Sequence, residues 1–290
     1  MYLICYPQGG WNDMMSRIWY CHQYCIQTNR TLLIDTTKNW FRDCIFNYIS
    51  FSFPNLYQGP NQSLLITELY ETETVFPAEL KGMNNDNFPS IVWISPGRME
   101  TTTGIVVSTR LDRLYEEKVV VYADCGSSMN INPILCYTSF TPFVLQCVQE
   151  RFILLPKSYS GIHIRNTDYK SNLDEFIQQN DFIFANTALF VASDHAPTIE
   201  LFHKKYGSYS FSNIPLVTEG SNIHESGEAQ ELRNSVTNIR MFNRDTIVDF
   251  LLLAASDTFY FSSNQSGFSR SVHFLHQDKG LVKWLLPFII

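Results

Sequence analysis

The sequence of 290 residues contains no uninterrupted apolar run of the roughly 18 to 20 residues that a helix needs to span a bilayer. It also lacks the basic region and long apolar stretch of a secretory signal, since Met1 leads directly into a short strand-like segment, and a cytosolic location is the expectation. Positive charge is scarce. Twenty-one Lys and Arg against 28 Asp and Glu leave a net charge of −7, which excludes a broad electropositive face for nucleic acid or an anionic membrane. Any anion must therefore be met in a local pocket. No Cys-x-x-Cys pair occurs, and the seven cysteines (5, 21, 25, 44, 125, 136 and 147) all lie in the first half. Their odd number predicts free, mostly buried thiols, not a disulfide framework or a zinc site. Also missing are an Asp-x-Asp triplet, a His-Glu-x-x-His pattern and a full Gly-x-Gly-x-x-Gly turn. These are common handles for a cation–diphosphate pair, a catalytic zinc and a dinucleotide, so a metal-free site without a resident cofactor is expected. Neither an internal repeat nor a low-complexity tract is visible.

What is present is an ordinary globular chain, with 45% apolar and 17% charged residues, long enough for two modest domains that each bury a core. Residues 2–7 read as a strand, Gly9-Gly10 as a tight turn, 12–27 as a helix and 31–35 as a second strand. Strand, glycine turn, helix and strand open a parallel α/β domain, because parallel neighbours need a crossover of that length. Apolar runs at 91–95 and 119–123 fit further buried strands. Thr141-Pro142 starts a helix to about residue 152, and the segment around Pro156 to Gly161 breaks the pattern. A second alternation follows: strands at 161–165, 189–193, 214–217 and 258–261, with helices at 173–180, 197–206, 245–255 and 268–276. A polar loop covers 218–229. The expectation is an α/β protein of two Rossmann-like domains, 1–155 and 156–290, with ligands beyond the carboxyl ends of the strands.

Residues suited to holding an anion and moving a proton gather at those strand ends. His163, Arg165 and Asp168 follow the first strand of the second domain, Asp194 follows the next, and Ser262, Ser263 and Ser266 follow the last. Arginine forks, hydroxyls and helix N-termini stabilise a departing diphosphate, and a carboxylate removes a proton from an attacking hydroxyl. Each group also has a plain structural reading. Arg165 fits a salt bridge, His163 a hydrogen-bonded core position, Asp249 a capping or solvated aspartate, and the serines a polar turn. Gly9-Gly10 suits any Rossmann-like turn. Residues 219–231, with His224-Glu225, read as a solvated loop.

The segment His163-Ile164-Arg165-Asn166-Thr167-Asp168 resembles the His-x-Arg-x-Thr-Asp motif of α1,6-fucosyltransferases, the nodulation enzymes included. In the same order, Phe190-Val191-Ala192-Ser193-Asp194 with its following helix looks like that family's second motif. The residues from Asp249 through Arg270 look like the third, and Gly9-Gly10-Trp11-Asn12 is similar to the glycine turn on the acceptor side. The resemblance implies a GT-B fold, two Rossmann-like domains facing a cleft, and inverting, metal-independent transfer from a nucleotide sugar to a glycan hydroxyl. It further implies that Arg165 grips the diphosphate, that His163 and Asp249 lie near the base or ribose, and that Ser262, Ser263 and Ser266 bind phosphate oxygens. Asp194 would line the nucleotide pocket, while Gly9, Gly10 and Asn12 would face the acceptor. Asp168, then Asp174, are the candidates for the base. Many fucosyltransferases carry two adjacent arginines where this chain has Arg165 and Asn166, which keeps UDP-xylose open beside GDP-fucose as the donor. A protein that binds nucleotide sugar or glycan without catalysis is the alternative from another class. A methyltransferase using the first glycine turn is a further one.

Overall fold

The computed structural model describes residues 1–83, 92–95, 97–101, 104–126, 130–166, 172–212 and 236–288. The chain divides into two units, Met1–Thr138 and Ser139–Ile290. The strand expected at 214–217 and the loop at 218–229 lie outside the described residues, as does Asp168.

The first unit opens with β1 (Tyr2–Gln8), α1 (Trp11–Thr28) and β2 (Thr31–Ile34). β1 and β2 pair in parallel with Tyr2 opposite Thr31, so the chain must travel back the length of the strand, and α1 makes that return. Met14, Ile18, Cys21 and Cys25 recur on one helical face and are buried, which is why α1 lies on the sheet. The helix stops at Asn29, whose left-handed backbone (φ 51°) turns the Arg30 amide back to the Cys25 carbonyl at 3.1 Å. There follow β3 (Ile49–Phe51), α2 (Gln62–Thr72) and β4 (Val75–Phe76). Then come β5 (Val92–Ser95), β6 (Arg98–Glu100), β7 (Val106–Ser108) and β8 (Val119–Cys125). The main sheet has the order β2-β1-β8-β4 and is parallel throughout. β1 lies inside it with Leu3, Ile4, Cys5 and Tyr6 fully buried, the apolar run of a strand covered on both faces. Each such aliphatic side chain contributes about 1.5–3 kcal/mol by leaving water.

One expected strand differs. Residues 92–95 do form β5, but it pairs antiparallel with β6, in a separate three-stranded sheet that ends with β7. Only two residues separate β5 from β6, and Gly97 takes φ 68°, so no length remains for a parallel crossover.

After α3 (Asn132–Leu135), β9 (Thr138–Phe140) runs across the unit boundary. The second unit holds α4 (Pro142–Leu154), β10 (Ser160–Ile164), α5 (Leu173–Asn186), β11 (Leu189–Ser193) and α6 (Ala196–Tyr206). It continues with α7 (Val236–Ala255), β12 (Thr258–Phe261), α8 (Gly267–Gln277) and α9 (Lys279–Leu285). α4 therefore belongs with the second unit, ahead of the 155/156 division expected from the sequence. α4 buries Val144, Cys147 and Val148 and meets α7, where Arg151 Nη2 lies 2.6 Å from Asp245 Oδ1 in a buried setting. The sheet is parallel in the order β11-β10-β12, and all five β10 residues are buried. Gly161 sits in β10 because α7 comes close there. A Cβ at that position would lie 2.8 Å from Ser256 Oγ and 3.2 Å from Leu253 Cδ2. No helix among the described residues is long and apolar enough to cross a membrane.

Candidate functional site

Strand register brings the candidate residues of the second unit together. Ile164 of β10 pairs with Ser193 of β11, so Arg165 and Asp194 emerge side by side at the carboxyl edge of the sheet. His163 pairs with Phe261 of β12, which delivers Ser262 to the same edge. The pairs then bond directly. Arg165 Nε donates to Asp194 Oδ2 at 3.1 Å, and the Asn166 amide donates to Asp194 Oδ1 at 3.1 Å. Both carboxylate oxygens thus steer the chain as it leaves β10. On the other side, the Arg165 amide donates to Ser262 Oγ at 3.2 Å and the Ser262 amide to the His163 carbonyl at 3.1 Å. Arg165 is held from both neighbouring strands, with 21% of its side chain open to solvent.

Two helices begin at this edge. α6 starts at Ala196, directly after Asp194 and the cap residue His195. α8 starts at Gly267 with Ser266 as its cap, whose Oγ accepts the Ser269 amide at 3.2 Å. Ser263 Oγ accepts the Gln265 amide at 3.2 Å, which shapes the turn before that cap. Each serine uses its oxygen as a local acceptor and keeps a hydroxyl proton to donate. A cation, donor hydroxyls and two helix N-termini at one sheet edge form an arrangement suited to a phosphate-bearing ligand.

His163 occupies a hydrogen-bonded core position. It is buried, its Nδ1 lies 2.6 Å from Ser269 Oγ, and its ring packs 4.8 Å from that of Phe268. Burial, with a smaller contribution from the Arg165 charge, pushes its pKa down to about 3, so a neutral ring pins β10 to α8 at ordinary pH. Asp249 lies on α7 in a buried network with α4. Its Oδ2 accepts from the Ser212 hydroxyl, its Oδ1 lies 3.8 Å from Arg151 Nη1, and Asp245 sits one turn earlier between Arg151 and Arg244. Burial, with a contribution from Asp245, raises the Asp249 pKa to about 7 against the pull of Ser212 and Arg151. Among the described residues no hydrogen bond or ion pair joins Asp249 to Arg165. Asp174 is exposed in the first turn of α5, in a shallow groove with Ile177, Gln178, Asp181, Leu201 and Lys205.

In the first unit, Gly9 takes φ 90° between β1 and α1, and a Cβ there would lie 2.7 Å from Asp13 Cβ and 2.8 Å from Cys125 Sγ. The Gly10 amide donates to Asp13 Oδ2 at 3.3 Å. Asn12 is buried within the first turn of α1. A carboxylate of the chain itself therefore occupies the start of α1, where an incoming phosphate would meet like charge.

Comparison with known proteins decides the architecture. No protein-family model matches the sequence, and no curated protein matches it. Among solved structures, NodZ alpha-1,6-fucosyltransferase soaked with GDP-fucose aligns with a TM-score of 0.56 at 12% identity, over 94% of this chain and 92% of that one. NodZ co-crystallized with GDP and fucosyltransferase NodZ from Bradyrhizobium give the same values. The chain has the GT-B fold. At 12% identity the likeness is one of fold.

Within this GT-B chain, the structure gives contacts to residues that motif reading left without a role of their own. Ser269 holds His163, Arg151 and Asp245 surround Asp249, and Thr198 and His195 approach Asn166. Thr198 was reachable from sequence: it stands in the first turn of a helix opened by Pro197, four residues past Asp194, where a side chain can face back to the strand end. Ser269 and Arg151 carried no such signal, because their partners are distant in sequence. Among the described residues no group of three His, Cys, Asp or Glu is arranged to hold a metal ion.

Proposed function

We propose that this protein is a glycosyltransferase whose second unit binds a nucleotide sugar and which transfers the sugar to a hydroxyl of a glycan. The observation that carries the reading is the convergence of Arg165, Asp194, Ser262 and Ser263 at the carboxyl edge of β10, β11 and β12, beside the N-termini of α6 and α8, in a GT-B fold. In the reaction, the bond from the sugar's anomeric carbon to the diphosphate oxygen breaks as one from the acceptor oxygen forms. The electron pair leaves on the diphosphate and the acceptor proton passes to a base. Arg165 and the two helix N-termini would stabilise the leaving charge. Attack from the face opposite the leaving group inverts the anomeric centre, and no metal is required in this scheme. Asp168 is the first candidate for the base and Asp174 the second. GDP-fucose and UDP-xylose are the donors to be distinguished.

One observation favours a second reading, binding without turnover. The Arg165 charge is already balanced by Asp194 and its neighbour is the neutral Asn166, so the cluster carries no net positive charge from these three side chains. A methyltransferase using the first glycine turn is less well supported, since Asp13 fills that turn.

The test is calorimetric and thermal-shift binding of GDP, UDP, GDP-fucose and UDP-xylose to wild type and Arg165→Ala in the presence of EDTA. A ligand held at 100 times its Kd stabilises by about 2.7 kcal/mol, which is readily measured. Loss of an Arg–phosphate contact should weaken binding about 10- to 100-fold. Equal binding by both proteins, or none by either, would remove the assignment of this edge as the donor site. Transfer of sugar to an oligosaccharide acceptor then separates catalysis from binding alone.

A further inference from the structure

Asn166 does more at the sheet edge than follow Arg165. Its Nδ2 lies 3.3 Å from Thr198 Oγ1 and 3.4 Å from His195 Nδ1, and Thr198 Oγ1 lies 2.9 Å from the same imidazole nitrogen. These three groups close a small ring of contacts between the end of β10 and the start of α6. Their donor and acceptor roles follow from chemistry. A carboxamide nitrogen only donates, so Asn166 Nδ2 donates to Thr198 Oγ1, and Thr198 shares a second hydrogen bond with His195 Nδ1 that holds its hydroxyl in place. His195 and Thr198 are both buried, and among the described residues His195 Nε2 finds no partner. The arrangement therefore costs desolvation energy, and it fixes one thing in return. With Nδ2 turned toward α6, the carbonyl Oδ1 of Asn166 is the carboxamide atom left over, and none of the described residues donates to it. An oxygen with lone pairs and no proton repels phosphate oxygens and can bind only a group that donates.

We propose that Asn166 is a specificity-determining residue that accepts a hydrogen bond from a hydroxyl of the nucleotide sugar, and that Thr198 and His195 are the positioning residues that turn its carbonyl to do so. The inference rests on the donor site proposed above. The hydroxyl belongs either to the ribose or to the transferred sugar, and the two sources separate experimentally.

The experiment measures Kd by calorimetry for GDP, UDP, GDP-fucose and UDP-xylose with wild type, Asn166→Leu, Thr198→Val, Thr198→Ser and the Asn166→Leu/Thr198→Val double variant. Arg165→Ala is run beside them. Removing one neutral hydrogen bond should weaken the binding nucleotide sugar about 3- to 10-fold in Asn166→Leu and in Thr198→Val. Thr198→Ser keeps the hydroxyl and should bind within about twofold of wild type, because the bond survives. Since Thr198 acts through Asn166, the double variant should lose no more than Asn166→Leu alone. A loss confined to the nucleotide sugar identifies a hydroxyl of the transferred sugar, and an equal loss with the free nucleoside diphosphate identifies the ribose. Unchanged binding in Asn166→Leu while Arg165→Ala loses affinity would overturn this inference and leave the donor site standing. Additive losses in the double variant would overturn the positioning role of Thr198. Binding of none of the four probes, or no effect of Arg165→Ala, would remove the donor site itself and this inference with it.

Discussion

Replacing Asp249 by Asn should change how the stability of the protein depends on pH. Asp249 is 3% exposed, and its carboxyl titrates near 7 in the folded chain against about 3.9 unfolded. Between those values the folded state holds a proton that the unfolded state has lost. The stabilisation is thus fully present below about pH 4, declines as pH rises, and is gone once pH passes through about 7. A difference of about 3 pKa units corresponds to on the order of 4 kcal/mol, with the opposing pull of Arg151 and Ser212 already expressed in the folded value. Asn has nearly the same shape, cannot ionise, and can still accept from Ser212. The substituted carboxamide therefore behaves as the protonated aspartate at every pH. Relative to wild type, the variant should gain stability as pH rises from 5 to 8, by roughly 3 kcal/mol or about 6–12 °C in Tm. Paired thermal melts of both proteins across that range measure it, and taking the difference cancels the other titrating groups. A Tm difference that stays flat with pH would refute the reasoning and mean that Arg151 and its neighbours keep Asp249 charged in the folded protein.

His163 should behave in the opposite sense: its folded pKa is depressed to about 3 from about 6.5, so wild type loses stability as pH falls below about 6.5, and His163→Gln should close on wild type between pH 7 and pH 4 in the same melts. A constant gap between the two would show that the ring is not buried as a neutral group. Gly161→Ala would press a methyl group against Ser256 Oγ, which is anchored to the Leu253 and Thr258 carbonyls at 2.7 and 3.0 Å and cannot easily yield. The expected cost is about 1–3 kcal/mol, or roughly 2–10 °C, and an unchanged Tm would mean that α7 does not press on β10.

Much of the fold was legible because its elements are locally determined. The turn at Gly9-Gly10, the buried face of α1 and the strand at β10 each follow from glycine placement and apolar period. What escaped depended on distant partners. β5 reads as apolar like the parallel strands, and only the two-residue link at Gly97 shows that it must turn back. α4 is a helix by its own Thr141-Pro142 start, but it packs with the second unit, where Arg151 meets Asp245, 94 residues on. The same division holds at the site. Arg165, Asp194 and Ser262 stand at strand ends, so register alone brings them together. The pinning of His163 by Ser269 and the buried setting of Asp249 arise from helix packing, which spacing does not encode.

The two units use the start of a helix after a strand in contrasting ways. In the first, Asp13 folds back on the Gly10 amide, so the positive end of α1 is answered from within the chain. In the second, the start of α8 is capped by the neutral Ser266, and α6 begins at His195 with no side-chain cap. The carboxylate nearest to α6, Asp194, is committed to Arg165 and to the Asn166 amide. A chain with net charge −7 has little positive potential to offer an anionic ligand, so where helix termini remain unanswered matters. That asymmetry, more than the glycine turn, is what supports the proposal that an anionic donor is bound by the second unit, because the start of α1 is already met by Asp13.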